Sequence, residues 1–259
     1  MNLAIVLLNW NGEKLLKKFL PTLVKHSSKS KIYIIDNGST DGSIKYVHNN
    51  FKNINCILLD KNYGFSKGYN LGLKKIKADL YCLINTDVEV TENWIQPVLN
   101  RFKSDINVKI AQPKLLDFNN KEYFEYSGAA GGYIDSYGYT FCRGRIFSTI
   151  EKDNSQYNKN VELFWASGAC MFIRSKVWQD LNGFDDDLFS HFEEIDLCWR
   201  AFNKGYKTYF ISESKVFHIG AASLKISTFK WYLNFRNSLI VLLKNLIQKD
   251  IFKILFIRI

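Results

Sequence analysis

Apolar segments of strand length recur through the first third of the chain, and longer stretches with the apolar spacing of helices separate them. The four segments are LAIVLLNW (3–10), KIYIIDN (31–37), NCILLD (55–60) and DLYCLIN (79–85). Strands that alternate with helices of this length form βαβ units. The pattern therefore predicts an α/β fold with a mostly parallel central sheet flanked by helices.

The rest of the chain is less regular. Residues 118–160 are rich in glycine, tyrosine and polar residues. They predict a long irregular insertion, and loops of that length usually carry function. The segment LFWASGACMFIRSKVW (163–178) then predicts a strand followed by a helix. Residues 224–259 are apolar but contain a cation every few residues, and we expect them to form a helical tail.

The positive charge of the chain is concentrated in this tail. Of the formal net charge of +10, an excess of six falls in residues 224–259, where seven Lys and Arg residues accompany one acid, Asp250. The cations leave no run of the ~20 apolar residues that a membrane-spanning helix needs. Two interpretations stay open: a helix lying on an anionic membrane surface, or one packed on the domain. A nucleic-acid partner is not expected, because no basic, aromatic surface motif is visible.

Cysteine usage and the N-terminus bear on the compartment. The five cysteines are odd in number and have no CxxC spacing, which favours reduced, buried thiols over a disulfide framework or a zinc site. The apolar N-terminus reaches Asn9 and Asn11 too early for a signal peptide and lacks a basic leader, so we expect it to be the first strand. The predicted location is cytoplasmic; under the first interpretation of the tail, the protein is peripheral on the cytosolic face of the membrane.

Polar residues cluster where the predicted strands end, and ligands of parallel sheets bind at these carboxyl ends. The motifs are NWNG (9–12), DNGSTDGS (36–43), NYGFSKGYNLG (62–72) and NTDVEV (85–90). They contain neither GxGxxG nor a P-loop, which argues against a dinucleotide-binding Rossmann enzyme and against a P-loop protein. The candidate ligand-binding residues are Asn9, Asn11, Asp36, Asn62, Gly68, Asn70 and Asn85. We expect the glycines to let the backbone approach a ligand and a neighbouring helix, and Asn70 to open that helix with its amide in the cleft.

Asp87 and His218 each follow an apolar segment of strand length. Taken singly, they fit a turn aspartate and a satisfied histidine. Together, at two strand ends of one sheet, they form a mixed oxygen and nitrogen ligand set suited to Mn²⁺ or Mg²⁺, with phosphate oxygens and water filling the remaining positions. The pair therefore predicts a site for a divalent cation.

The segment HFEEIDLCWR places three carboxylates within four positions. Ser190 and Glu193 have the spacing of a capping box. Asp196 stands four residues before Arg200, the spacing of a helical ion pair that contributes about a few tenths of a kcal/mol when exposed. Glu194 has neither the spacing of a capping box nor that of a helical ion pair. A carboxylate without a structural partner beside a cleft is a candidate general base.

These motifs, taken in order, resemble those of family 2 glycosyltransferases of the rhamnosyltransferase-like branch, and the resemblance covers about residues 3–223. The motifs are NWNG, DNGSTDGS, NYGFSKGYNLG, INTDVEV, SGACMFIR, GFDDDLFSHFEEIDLCWRA and FHIGAAS. The resemblance implies a GT-A fold with a Rossmann-like sheet, a UDP- or dTDP-linked sugar donor, a divalent cation and inversion at the anomeric carbon. It also implies that Asp36 and Asn70 help to hold the nucleotide, with Asp87 as the acid of a DxD-like motif and His218 as a further metal ligand.

The chain departs from the family pattern in two places. The DxD-like motif has a single acid, Asp87, because Asn85 stands in its first position. Where the family usually has Glu-Asp, this chain has Glu193 followed by Glu194. The resemblance therefore implies a glutamate base, Glu194, with Asp196 as the alternative.

The expected organisation is a GT-A domain at residues 1–223 and the helical tail at 224–259. Its nucleotide-binding half covers about 1–115, and its acceptor and catalytic half covers about 116–223. The expected reaction is inverting transfer of a sugar to a hydroxyl of a surface polysaccharide or a lipid-linked glycan. Two alternatives are a non-catalytic nucleotide-sugar or glycan-binding module and a sugar-1-phosphate nucleotidyltransferase. The latter usually begins with a glycine-rich basic loop, which NWNG is not.

Overall fold

The computed structural model of the protein describes residues 1–220 and 228–258. The strands are β1 (Leu3–Asn9), β2 (Lys31–Asp36), β3 (Asn55–Leu58), β4 (Leu80–Ile84), β5 (Val88–Val90), β6 (Val108–Asp117), β7 (Gly132–Ile134), β8 (Thr140–Cys142), β9 (Arg145–Ile146), β10 (Thr149–Ile150), β11 (Val161–Leu163), β12 (Cys170–Arg174) and β13 (Lys207–His218). The helices are α1 (Glu13–His26), α2 (Ser43–Asn50), α3 (Gly64–Leu73), α4 (Gln96–Ser104), α5 (Ser175–Asp180), α6 (Glu193–Asn203), α7 (Thr228–Asn245) and α8 (Gln248–Arg258).

The central sheet has the strand order β11–β13–β6–β12–β4–β1–β2–β3, and β5 pairs with β13. Strands β3, β2, β1 and β4 run parallel, β12 runs antiparallel to both of its neighbours, and β13 is parallel to β6. The predicted α/β sheet is confirmed, and each of the four strands predicted in the first third lies within two residues of its expected ends. Every residue of β4 is buried, which explains its uniformly apolar sequence.

The insertion at 118–160 is more ordered than predicted, because it contains the antiparallel pairs β7–β8 and β9–β10. Lys114 on β6 ties it to the sheet. The Lys114 side chain is fully buried, and its Nζ lies 2.7 Å from both Oδ2 of Asp153 and Oδ1 of Asn158. A buried ammonium is tolerated only when it is paired and hydrogen-bonded, so this contact fixes the end of the insertion against β6.

The tail is helical, as predicted; it forms two helices, α7 and α8, and α7 packs on the domain. Leu233, Val241 and Leu242 of α7 are buried in the core. In the part of the chain described, none of the helices has both the length and the apolar character needed to cross a membrane. The five cysteines are free thiols, as expected, and four of them are buried, whereas Cys56 is only half-buried. The predicted domain boundary near residue 223 lies outside the described residues.

Candidate functional site

The carboxyl ends of β1 and β2 carry a buried polar cluster. Asn9 and Asp36 face each other across the two strands, and both are buried. Nδ2 of Asn9 lies 2.9 Å from Oδ1 of Asp36 and within 3.1 Å of the hydroxyl oxygens of Ser39 and Ser43. The Ser39 hydroxyl donates to the same carboxylate oxygen at 2.6 Å. Because a buried carboxylate needs such donors, these bonds hold Asp36 at the end of its strand.

Two further asparagines shape the loops at this edge of the sheet. Asn11 has a left-handed backbone, with φ of 50°, and its Oδ1 accepts from the N–H of Thr40 at 2.8 Å. Oδ1 of Asn62 accepts from Nδ2 of Asn37 at 3.0 Å and from the N–H of Gly64 at 2.8 Å. Asn11 and Asn62 therefore fix the loops that follow β1 and β3.

Asn70 does not open a helix, so that expectation is wrong: α3 begins at Gly64 and Asn70 lies in its middle. The side-chain amide donates to the carbonyl of Phe184 at 2.8 Å and accepts from the N–H of the same residue at 3.0 Å. These bonds tie α3 to the loop before α6, and a contact of Asn70 with nucleotide stays a prediction. Gly68 brings α3 close to the sheet, since a Cβ there would lie 2.9 Å from a methyl of Leu8.

Asp87 and His218 come together, as the sequence predicts. Oδ1 of Asp87 lies 3.1 Å from Nε2 of His218, and Nδ1 of His218 lies 3.3 Å from Oε1 of Glu125. The other oxygen of Glu125 accepts from the N–H of Ser127 at 2.6 Å. Burial opposes a charge on the imidazole, but the hydrogen bonds and negative charges of Asp87 and Glu125 outweigh it and raise the pKa of His218 to about 10. Without a metal ion the imidazolium thus balances two buried carboxylates, and a bound cation would have to displace the proton of Nε2.

These residues fit a divalent cation held by two protein ligands. Neighbouring ligand atoms of one ion lie roughly 3 Å apart, which matches the separation of the Asp87 oxygen and the His218 nitrogen. A carboxylate behind the second imidazole nitrogen, here Glu125, is the usual orienting partner of a metal-bound histidine. Within residues 1–220 and 228–258, however, no three His, Cys, Asp or Glu side chains converge on one metal position. Further ligands would have to come from a bound substrate.

The capping box predicted for Ser190 and Glu193 is wrong. Helix α6 begins at Glu193, and its N-cap is Phe192, which has a left-handed backbone with φ of 71° and no side-chain cap. Glu193 is therefore the first helical residue, whereas a capping box needs the glutamate at the third. Its side chain is buried instead, and its Oε2 has no hydrogen-bond partner among the residues described.

The two adjacent glutamates bind protons more tightly than ordinary carboxylates. Burial and the charge of Glu194 raise the pKa of Glu193 well above its usual range. Burial also raises the pKa of Glu194 to about 7, against the opposing effect of the N–H groups of Glu194, Gly168 and Ile195. Glu194 is consequently close to half ionised at pH 7, and Glu193 holds its proton more strongly than an ordinary carboxyl group. A general base works best when its pKa is near the working pH.

Asp196 is fully buried, not exposed as its helical spacing suggested. Its predicted pairing with Arg200 is confirmed, with Nε of Arg200 2.7 Å from Oδ2. Its other oxygen accepts from Nδ2 of Asn245 on α7 at 2.9 Å and lies 3.3 Å from Nζ of Lys244. The expected contribution of a few tenths of a kcal/mol is therefore too small, because it assumed exposure. Of the two candidate bases, Glu194 is the one whose carboxylate is not committed to neighbouring side chains.

The loop that precedes β12 brings Glu194 to the end of β4. The backbone N–H of Asn85, itself half-buried, donates to the carbonyl of Ala169 at 3.0 Å. The adjacent Gly168 lies against Glu194, because a Cβ there would be 3.8 Å from Cδ of Glu194, and its N–H opposes the rise in the pKa of that carboxyl group. The candidate base and the segment that leads to Asp87 therefore contact the same short loop.

The sequence interpretation missed two buried polar residues of this region, Asn37 and Glu125. A signal existed for Asn37, which directly follows Asp36 in the strand-end motif and organises the next loop. Glu125 had only the signal of lying in the long insertion, because its contact with His218 joins segments far apart in sequence.

Comparison with known proteins gives distant relatives along most of the chain. It is 22% identical over 205 residues to the low-salt glycan biosynthesis hexosyltransferase Agl10 of Haloferax volcanii, covering 77% of this chain and 61% of that protein. It is 24% identical over 258 residues to the dTDP-rhamnosyl transferase RfbF of Shigella flexneri, covering 94% of this chain and 81% of that protein. The chain thus spans less than two thirds of the first of these relatives.

The fold and the family agree with the resemblance in the motifs. The structure is similar to the crystal structure of GalNAc-T7 with UDP, GalNAc and Mn²⁺, with a TM-score of 0.72, 16% identity, and coverage of 93% of this chain and 47% of that chain. This similarity confirms the expected GT-A fold. Residues 4–181, more than half of the sequence, match the family described as Glycosyl transferase family 2. The chain therefore belongs to glycosyltransferase family 2.

Proposed function

We propose that the protein is an inverting glycosyltransferase that moves a sugar from a UDP- or dTDP-linked donor to a hydroxyl of a surface polysaccharide or a lipid-linked glycan. The observation that carries this proposal is the position of Glu194, whose pKa of about 7 suits a base, beside the strand end that leads to Asp87. The relatives support the donor class, because RfbF is a dTDP-rhamnosyl transferase and the GalNAc-T7 structure contains UDP.

The donor would bind at the carboxyl ends of β1 to β4, in the half of the domain at about residues 1–115. Asn9 and Asp36 provide a rigid, hydrogen-bonded floor there, and Asn85 lies half-buried at the edge. The proposed donor-binding set is Asn9, Asn11, Asp36, Asn62, Gly68, Asn70 and Asn85. The half at about residues 116–223 would supply the base and the acceptor contacts.

In the proposed reaction, Glu194 takes the proton of the acceptor hydroxyl as the new bond to the anomeric carbon forms. The bond from that carbon to the diphosphate breaks in the same step, and a single displacement inverts the configuration. Asp87 and His218 would hold a divalent cation, Mn²⁺ or Mg²⁺, which would supply positive charge to the departing diphosphate. The buried bonds of Asp196 keep α6 in place while Glu194 acts.

Asp87→Asn is expected to weaken donor binding in the presence of Mn²⁺ by roughly tenfold or more, because a neutral amide is a poorer ligand than a carboxylate. Binding of a panel of nucleotide sugars, with and without Mn²⁺, measures the effect, and circular dichroism checks the fold. Asp105→Asn is the matched control, because Asp105 lies shortly before the first residue of β6, Val108, at the opposite edge of the sheet from Asp87.

Two results would contradict this scheme. An unchanged response to Mn²⁺ in Asp87→Asn would remove Asp87 from the cation site. If the protein binds its donor tightly but shows neither sugar transfer nor slow donor hydrolysis, the result would favour the non-catalytic binding module. Hydrolysis discriminates well, because a transferase that binds its donor without an acceptor can still pass the sugar to water.

We also propose that the tail contacts an anionic membrane surface, where a lipid-linked acceptor would lie. Large aromatic side chains project from both tail helices: Trp231 and Phe235 on α7 are 70% and 61% exposed, and Phe252 and Phe256 on α8 are 84% and 90% exposed. The excess of six positive charges lies in the same segment. Exposed aromatic residues combined with cations are typical of helices that bind in the headgroup region of anionic bilayers.

The double substitution Phe252→Ser and Phe256→Ser is expected to lower binding to phosphatidylglycerol vesicles, and raised salt should weaken binding of the unaltered protein. Deleting residues 229–259 would not test this cleanly, because α7 is part of the core. Phe147→Ser is the matched control, because Phe147 is 89% exposed but lies in the insertion. Equal vesicle binding by all three proteins would exclude the membrane contact.

A further inference from the structure

The loop that leads into α6 has an unfavourable backbone. Phe189, His191 and Phe192 have positive φ angles of 61°, 72° and 71°, which residues with a side chain rarely adopt. Such a segment persists only when its surroundings hold it. The loop ends directly before Glu193 and Glu194, so its course decides where the first turn of α6 starts and where its acids project.

Asn237 on α7 is completely buried beneath this loop. Its Nδ2 lies 2.9 Å from the carbonyl oxygen of Leu188, 2.9 Å from that of Ser190 and 2.7 Å from that of His191. Its Oδ1 accepts from Nε of Arg236 at 2.9 Å. The amide has two N–H groups, which are thus shared among three carbonyls of the strained segment.

Neighbouring contacts fix the same loop from both sides. Nη2 of Arg236 donates to the carbonyl of Asp187 at 2.9 Å. On the side of the donor-binding half, the carbonyl of Phe189 accepts from the N–H of Phe65 at 2.8 Å, at the start of α3. The loop is therefore held between α3 and α7. On the α7 side, Asn237 bonds to three of its carbonyl oxygens.

We infer that Asn237 is a positioning residue of the active site, which holds residues 188–192 in their strained course and so sets the direction of Glu194. Helix α7 is then required for the geometry of the catalytic half and is not a separable tail. The role assigned to Glu194 rests on the proposed function, whereas the effect of Asn237 on the loop does not.

Hydrogen–deuterium exchange tests the inference without any substrate. In Asn237→Ala, amides of residues 189–194 are expected to exchange at least about tenfold faster than in the unaltered protein, because several hydrogen bonds to the loop are lost together. Asn234→Ala is the matched control: Asn234 lies on the same helix, but its side chain donates to the carbonyl of Lys230 within α7. The control should leave exchange of the loop unchanged.

Kinetics provide the second readout. In Asn237→Ala, kcat for transfer or donor hydrolysis should fall by roughly 10- to 100-fold, as expected for a misplaced base, with little change in the KM for the donor. Asn237→Ser keeps one donor and should recover part of both effects; it also replaces the alanine variant if that fails to fold. Unchanged exchange of the loop, or equal acceleration throughout β1 and β4, would overturn the inference. Faster loop exchange in a protein that turns over no nucleotide sugar would instead contradict the proposed function alone.

Discussion

Glu194→Gln is expected to lower sugar transfer by roughly 100-fold or more while donor affinity changes little. Glutamine keeps the size of the side chain and its amide oxygen can still accept hydrogen bonds, but it cannot take the acceptor proton. Steady-state kinetics with the donor found in the panel, together with donor titrations, measure the two quantities separately. Near-normal transfer by Glu194→Gln would remove Glu194 as the base.

The pH dependence gives a second signature of the same residue. Because the base must be ionised and the pKa of Glu194 is about 7, transfer should rise about tenfold per pH unit below 7 and level off above it. The stability effect has the opposite sign: an acid with a raised pKa in the folded state stabilises most fully below its ordinary value of 4.5, and this contribution is lost as pH rises through about 7. Glu194→Gln should therefore lose less stability than the unaltered protein over that pH range.

Glu193→Gln is the matched control on the adjacent residue. Burial and the charge of Glu194 raise the pKa of Glu193 well above its usual range, which favours its neutral form, so a neutral amide of the same size should preserve most of the transfer activity. This expectation does not depend on the capping box suggested by the spacing of Ser190 and Glu193, which the structure does not contain. A large loss of activity in Glu193→Gln, with a stable fold, would show that the first glutamate takes part in the reaction.

The sequence predicted the parallel strands well because burial on both faces makes a strand uniformly apolar, as in β1 and β4. It also brought Asp87 and His218 together correctly, since both follow strands of one sheet. These successes depend on short-range patterns that the topology of an α/β sheet converts into proximity.

The errors come from contacts between distant segments. The left-handed Phe192 moves the start of α6, and no local motif announces it. The buried state of Asp196 depends on α7, which lies about 50 residues later, as the bond from Asn245 spans 49 positions. Glu125 meets His218 across 93 positions for the same reason. Such contacts follow from tertiary packing, which single-sequence periodicity does not contain.

Asp196→Asn is expected to destabilise the protein by about 3 kcal/mol, the order found when one partner of a buried ion pair is removed. Asn keeps the shape, but it leaves the guanidinium of Arg200 without its counter-charge and weakens the bond from Asn245 that joins α6 to α7. Urea unfolding followed by circular dichroism measures the loss of unfolding free energy. The helical spacing alone would have predicted a loss of about a few tenths of a kcal/mol.

Glu13→Gln is the matched control for this effect, because Glu13 and Lys17 have the same i,i+4 spacing but lie at the surface. Exposed pairs contribute little, so its unfolding midpoint should not change measurably. Activity separates the two roles open to Asp196. If it only supports α6, folded Asp196→Asn should retain transfer at temperatures well below its midpoint, with the pH profile still set by Glu194. Loss of transfer without loss of stability would instead identify Asp196 as the base, half a turn further along the helix.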